Sequence, residues 1–89
     1  MLRALAIDPD PAVLAGVVRL LSPRGFHITA RVSPDDTLDY VRRSRPNIVL
    51  LGRTYWEQGW GTRIRDASPG SVVVPSLESP DGPPSRGAA

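Results

Sequence analysis

Leu2 to Ile7 make a short apolar run, Leu-Arg-Ala-Leu-Ala-Ile, that stops at Asp8-Pro9-Asp10-Pro11. A run of strand length closed by turn formers predicts a buried strand. Asp10 stands where it can cap the next segment, and Pro11 falls in the first helical turn, where a missing amide hydrogen costs nothing. Val13, Leu14, Val17, Val18, Leu20 and Leu21 recur at helical spacing and predict an amphipathic helix over residues 11–22. Ser22-Pro23-Arg24-Gly25 ends it, with glycine where a left-handed backbone is often needed.

Phe26, Ile28, Ala30 and Val32 then alternate with His27, Thr29 and Arg31. That pattern predicts a sheet-edge strand with one buried and one wet face. Ser33-Pro34-Asp35-Asp36 repeats the cap-and-proline start, and Leu38, Tyr40 and Val41 carry a second, shorter helix to about Ser44. After the break at Arg45-Pro46-Asn47, Ile48-Val49-Leu50-Leu51 is continuously apolar, as expected of a central strand covered on both faces. Residues 52–61 read as a connection rich in glycine and aromatics, 62–67 as a short helix, and Ser68-Pro69-Gly70 as a turn. Ser71-Val72-Val73-Val74 reads as a fourth strand of the buried parallel kind.

Residues 78–89 contain no large apolar side chain and are nearly half proline and glycine, so a disordered tail is expected after a folded domain of residues 1–77. Strands alternating with helices imply an α/β fold with a parallel sheet and right-handed crossovers. The expected strand order is 2-1-3-4, the flavodoxin-like arrangement, truncated after the fourth strand.

Composition narrows the chemistry. The chain has 89 residues, 40% hydrophobic and 22% charged, as suits one small soluble domain. It has no cysteine, which removes disulfides, thiolate metal sites and thiol nucleophiles. The one histidine, His27, falls on the wet face of its strand without a partner for ligation or catalysis. No apolar run is long enough to span a bilayer and no signal-peptide core opens the chain, so a cytoplasmic location without membrane contact is expected. All 11 basic residues are arginine, a pattern that fits coding bias, and the formal charge of +2 gives no reason to expect direct nucleic-acid contact. Arg42, Arg43 and Arg45 cluster at a helix end, where cations complement the dipole in any case.

In a sheet of this order the crevice lies at the carboxyl ends of the strands, between the first and third. Asp8, Pro9 and Asp10, then Gly52 and Arg53, then Pro75 and Ser76 fall there. Asp8 and Asp10, both from one loop, are the candidate ligands for a hard cation such as magnesium. Asp10 also has the alternative role of an ordinary helix cap.

Ala-Ile-Asp-Pro-Asp-Pro-Ala-Val-Leu followed by Arg-Leu-Leu-Ser-Pro-Arg-Gly-Phe resembles the opening of a bacterial two-component response-regulator receiver domain. Arg-Pro-Asn-Ile-Val-Leu-Leu is similar to the entry to its third strand, and Val-Val-Val-Pro-Ser to its fourth. The resemblance covers roughly residues 2–77. It implies phosphoryl transfer from a histidine kinase to an aspartate after the third strand, assisted by magnesium on an acidic pair, a hydroxyl and a lysine. Position by position, Asp8 matches the first acidic residue and Ser76 the hydroxyl. The second acidic position holds Pro9, the acceptor position holds Gly52, and the chain has no lysine. Glycine has no carboxylate to form an acyl phosphate, so the family's transfer at this position is chemically excluded.

Tyr55-Trp56-Glu57-Gln58-Gly59-Trp60 concentrates both tryptophans beside the crevice. With Arg53, Arg63 and Arg65 these rings read either as a cap over the sheet or as a partner-binding anchor built from Arg53, Tyr55, Trp56 and Trp60. The expected function is a non-catalytic, receiver-like signalling module, a pseudo-receiver that acts by protein contact or ligand binding. A regulatory or sheet-completing protein partner follows from it, and no cofactor. The alternative is a truncated remnant of a DNA-binding transcriptional response regulator without independent function. Enzymatic activity is not expected, since neither a nucleophile-base pair nor a phosphate-loop or dinucleotide fingerprint is present.

Overall fold

Along the first strand, β1 (Leu2–Ile7), alternation sends Leu5 and Ile7 to one side of the sheet and Ala4 and Ala6 to the other, and all four are buried. The computed structural model describes residues 2–75. After β1 come α1 (Pro11–Leu21), β2 (Phe26–Arg31), α2 (Thr37–Ser44), β3 (Ile48–Leu51), α3 (Arg53–Glu57), α4 (Trp60–Ala67) and β4 (Val72–Pro75). The strands are all parallel in the order β2-β1-β3-β4, the expected flavodoxin-like arrangement. The boundary at residue 77 and the tail at 78–89 lie outside the described residues.

Local chemistry accounts for the punctuation. Asp10 caps α1, its Oδ1 accepting from the Ala12 amide at 2.9 Å, with Pro11 at the first helical position. A short 3₁₀ turn over Ser22–Arg24 follows, and Gly25 closes it at φ 89°, a conformation open to glycine at little cost.

Right-handed crossovers place α1 on one face of the sheet and α2 and α4 on the other. On the α2/α4 face, Leu5, Ile7, Val49 and Leu51 meet Val41 and Ile64, and all six are fully buried. On the opposite face α1 packs over β1 and β2 and buries its Val13 and Leu14. Nothing covers β3 and β4 to the same extent there: Ile48 and Leu50 are half-buried and Val72 is 57% exposed.

Several expectations are corrected. β3 is sealed on one face only, and β4, at the edge as the strand order requires, is not the buried strand expected, because the one helix on the α1 side lies over the other half of the sheet. The supposedly wet face of β2 is partly covered: the Tyr40 hydroxyl of α2 donates to Thr29 Oγ1 at 3.1 Å, and the Arg31 guanidinium lies 4.7 Å from the Tyr40 ring centroid. It is Ala30 and Val32, expected inside, that are exposed. Both faces of β2 are therefore partly covered, with Phe26 and Ile28 half-buried on the α1 side and Thr29 and Arg31 half-buried on the α2 side.

Ser33 to Asp36 form a turn, not a helix start. Asp36 takes φ 66° and the Thr37 amide donates to the Pro34 carbonyl at 2.9 Å, so α2 begins only at Thr37. The connection after β3 folds into α3, and α4 begins at Trp60, two residues before the expected start at 62, with Gly59 at φ 90° separating the two. Among the described residues, no helix is long and apolar enough to cross a membrane.

The two faces carry unequal shares of stability. Ile64→Ala should cost about 2–5 kcal/mol, whereas Val72→Ala should stay within about 0.5 kcal/mol. Urea denaturation of the two variants checks this, and equal losses would contradict the one-sided core.

Candidate functional site

Backbone hydrogen bonds fasten the loop after β1 to both neighbouring strands. The Asp8 amide donates to the Arg31 carbonyl at 3.0 Å, and the Gly52 amide donates to the Ile7 carbonyl at 2.7 Å. The ends of β1, β2 and β3 therefore meet at Asp8 and Gly52, at the switch in strand order where α/β sheets hold their ligands.

Within this crevice, Asp8 is turned inward. Its Oδ1 accepts from the Asp10 amide at 2.8 Å, which closes a small side-chain turn over Pro9. Its Oδ2 lies over Gly52: a Cβ built on that glycine would sit 2.4 Å from Oδ2, 2.9 Å from Cγ and 3.2 Å from the Asp8 Cα. The carboxylate of residue 8 thus occupies the space through which a side chain at 52 would leave the backbone. Gly52 has φ −57°, an ordinary value for any residue, so what demands glycine here is the closeness of Asp8 and not backbone conformation.

The two carboxylates of the loop have separate local tasks. Asp10 caps α1 through the Ala12 amide, while Asp8 holds the Asp10 amide and packs on Gly52. Magnesium asks for near-octahedral oxygen ligands, one or two of them free carboxylates and the rest waters or phosphate oxygens. Pro9 contributes no carboxylate, Asp10 is engaged at the helix end, and Asp8 faces a backbone, so these residues do not fit the ion. Among the described residues, no group of three or more His, Cys, Asp or Glu side chains is arranged to hold a metal ion. Ser76, the candidate hydroxyl, lies outside the described residues.

The aromatic segment is drawn into the fold. Arg53 is exposed in the first turn of α3. The Tyr55 hydroxyl donates to the Val32 carbonyl at 2.7 Å, tying α3 to the segment after β2. Trp56 and Trp60 are partly buried against the Leu5-Ile7-Leu51 core, and the Trp56 ring lies 3.0 Å from where a Cβ on Gly61 would stand. The Arg63 guanidinium sits 4.1 Å from the Trp60 ring centroid. Tyr55, Trp56 and Trp60 thus each pack in part against the core, as a cap over the sheet would, while Arg53 on the same segment stays exposed.

One feature of this pole was not legible beforehand. Asp35, Asp36 and Asp39 face Trp60 and Arg63 across a shallow groove of about 590 Å³. Only the Asp-Asp pair hinted at it, and that pair reads more readily as a helix start.

No family model matches the chain, and no solved structure matches it. It is similar to Protein Rrf1 of Nitratidesulfovibrio vulgaris (strain Hildenborough), with 32% identity over 76 residues, an alignment that takes in 82% of this chain and 54% of Rrf1. The chain thus spans about half the length of this curated relative.

A double-mutant cycle reads the Asp8–Gly52 contact directly. Gly52→Ala should cost about 1–3 kcal/mol as an overpacked site, and about 0.5 kcal/mol or more of that should be recovered when Asp8→Ala is made in the same chain. Additive losses in chemical denaturation would show that the two residues are not in contact. Asp10→Ala should cost about 1 kcal/mol as a lost cap, and unchanged stability would remove Asp10 from that role.

Proposed function

We propose that this chain is a receiver-like regulatory module of the two-component kind that takes no phosphate at the usual position and acts through contact with another protein. Asp8 lying in the space above Gly52 carries the reading. A phosphorylatable pocket needs an acceptor carboxylate after β3 with room around it for metal and phosphoryl oxygens. Here the acceptor position is a bare backbone and the neighbouring carboxylate has closed over it.

The flavodoxin-like strand order and the similarity to a protein named Rrf1 support a regulatory role. The absence of lysine and the proline at position 9 support a role without phosphotransfer. A module of this kind transmits a state by what binds to it, and catalysis of its own forms no part of the reading. Its place of action in this reading is the cytoplasm.

Incubation with acetyl phosphate and magnesium, followed by intact-mass measurement, tests this. The mass should stay unchanged over a time in which a phosphorylatable receiver run in parallel gains one phosphate. A stoichiometric gain on this chain would overturn the reading.

A further inference from the structure

Where the chain enters β3 and β4, a cavity of about 470 Å³ opens between the end of α2 and the turn that leads into β4. That volume lies in the range of small-molecule sites. The cavity is at the amino ends of the strands, at the other end of β3 from Gly52. Arg42, Arg45, Asn47, Ser68, Gly70 and Ser71 line it together with proline and alanine, and among the described residues no carboxylate does.

The acceptors of this wall are already taken. The Arg45 carbonyl accepts from the Arg3 guanidinium at 3.0 Å, the Asn47 carbonyl from the Val72 amide at 3.0 Å, and the Ser68 carbonyl from the Ser71 amide at 3.0 Å. The Ser71 hydroxyl donates to the Pro46 carbonyl, which leaves the buried Ser68 hydroxyl to donate to Ser71 Oγ at 2.7 Å. Asn47 Oδ1 accepts from the Arg3 amide at 2.7 Å, so the free end of that side chain is its NH2 group. What the lining has left is donors: the Asn47 NH2, the Gly70 amide and two guanidiniums. Among the described residues Arg42 has one ion pair, an exposed contact with Asp39 at 3.6 Å, and the Arg45 guanidinium has none. An exposed pair of that kind is worth little in water, so it does not tie Arg42 down.

Arg45 is also costly where it stands. It takes φ 47° as the cap residue after α2, a left-handed position that glycine or asparagine usually fills. Strain kept at a non-glycine residue argues that its side chain has a use. The helix dipole calls for a cation near the end of α2, but Arg42 and Arg43 in the last turn already supply it. α2 and α4 both end at this pole and each brings about half a negative charge, which two full positive charges outweigh. We infer that the cavity is a binding site for a phosphate group, free or carried on a small monoester, held between Arg42 and Arg45 and by the Asn47 and Gly70 amides. Guanidinium forks match phosphate oxygens in geometry. A tetrahedral anion close to doubly charged at neutral pH can take two forks and neutral amides from different sides, more than the two oxygens of a carboxylate engage. The site is separate from the crevice at Asp8 and does not depend on the regulatory reading.

The test uses the full 89-residue chain, nitrogen-labelled, in a buffer without phosphate. Inorganic phosphate should give saturable shifts at the Asn47 side-chain amide, the Gly70 amide and Arg45 Nε, while chloride and acetate at the same ionic strength give only a small shared drift. Arg45→Gly should weaken phosphate about tenfold or more by removing a charged donor. Its urea midpoint should not fall, because glycine suits the left-handed position. Arg42→Gln, at an exposed helical position, should weaken phosphate as well and leaves residue 45 untouched. Glycerol 3-phosphate separates the two sources: tighter binding than inorganic phosphate assigns the site to a monoester, weaker binding to the free ion, and both uphold it. No saturable response, equal saturation by acetate or chloride, shifts that map to Asp8 and Gly52 instead, or undiminished binding to either variant overturns the assignment.

Discussion

The approach of the Asp8 carboxylate to the bare backbone of Gly52 is the contact on which the character of the site depends. It sits where β1 and β3 are tied by the Gly52 amide on the Ile7 carbonyl, so the two residues cannot drift apart without opening the sheet at its switch point. Any side chain at 52 would have to push Asp8 aside, and with it the turn that Asp8 holds over Pro9 and the start of α1. Gly52 is therefore not an empty position, because the space above it is filled by a neighbour with structural work of its own.

The rest of the fold divides into a closed side and an open one. Branched aliphatics of β1 and β3 meet Val41, Ile64 and the aromatic segment on the α2/α4 side, where six side chains are fully buried. The tryptophans belong to that closed side: α3 and α4 fold the segment from Arg53 back over the strand ends, and Tyr55 pins it to the Val32 carbonyl. On the other side a single helix covers half the width, and the valines of β4 stay near water. A small chain buries a modest fraction of its surface in any case, and here the shortfall falls on the open face.

Much of the architecture was legible in the chain itself. The apolar runs at 2–7 and 48–51 give β1 and β3 to the residue, and Asp10-Pro11 and Gly25 mark where the first crossover begins and ends. What one sequence does not disclose is how far a helix will reach across a strand, and that is why the second covered face of β2, the half-open β3 and the exposure of β4 on the α1 side were misjudged, while the edge position of β4 followed from the strand order. The segment at 53–57 was missed as a helix because its two flanking glycines and its rings mask a single helical turn. Of the site, the glycine at 52, the proline at 9 and the capping role of Asp10 could all be seen in the residues. That Asp8 would swing onto Gly52 could not, since it depends on the spacing between two strand ends far apart in the chain.

Magnesium titration of the isotopically labelled chain, followed in its nitrogen-proton spectrum, tests the closed crevice most directly. With one carboxylate capping a helix and the other packed on a glycine backbone, the amides of Asp8, Asp10, Gly52 and Arg53 should show no saturable shift beyond the small drift that ionic strength gives elsewhere. Saturable changes confined to those four amides would mean that the loop after β1 reorganises into a metal site, and would contradict a pocket shut by Asp8.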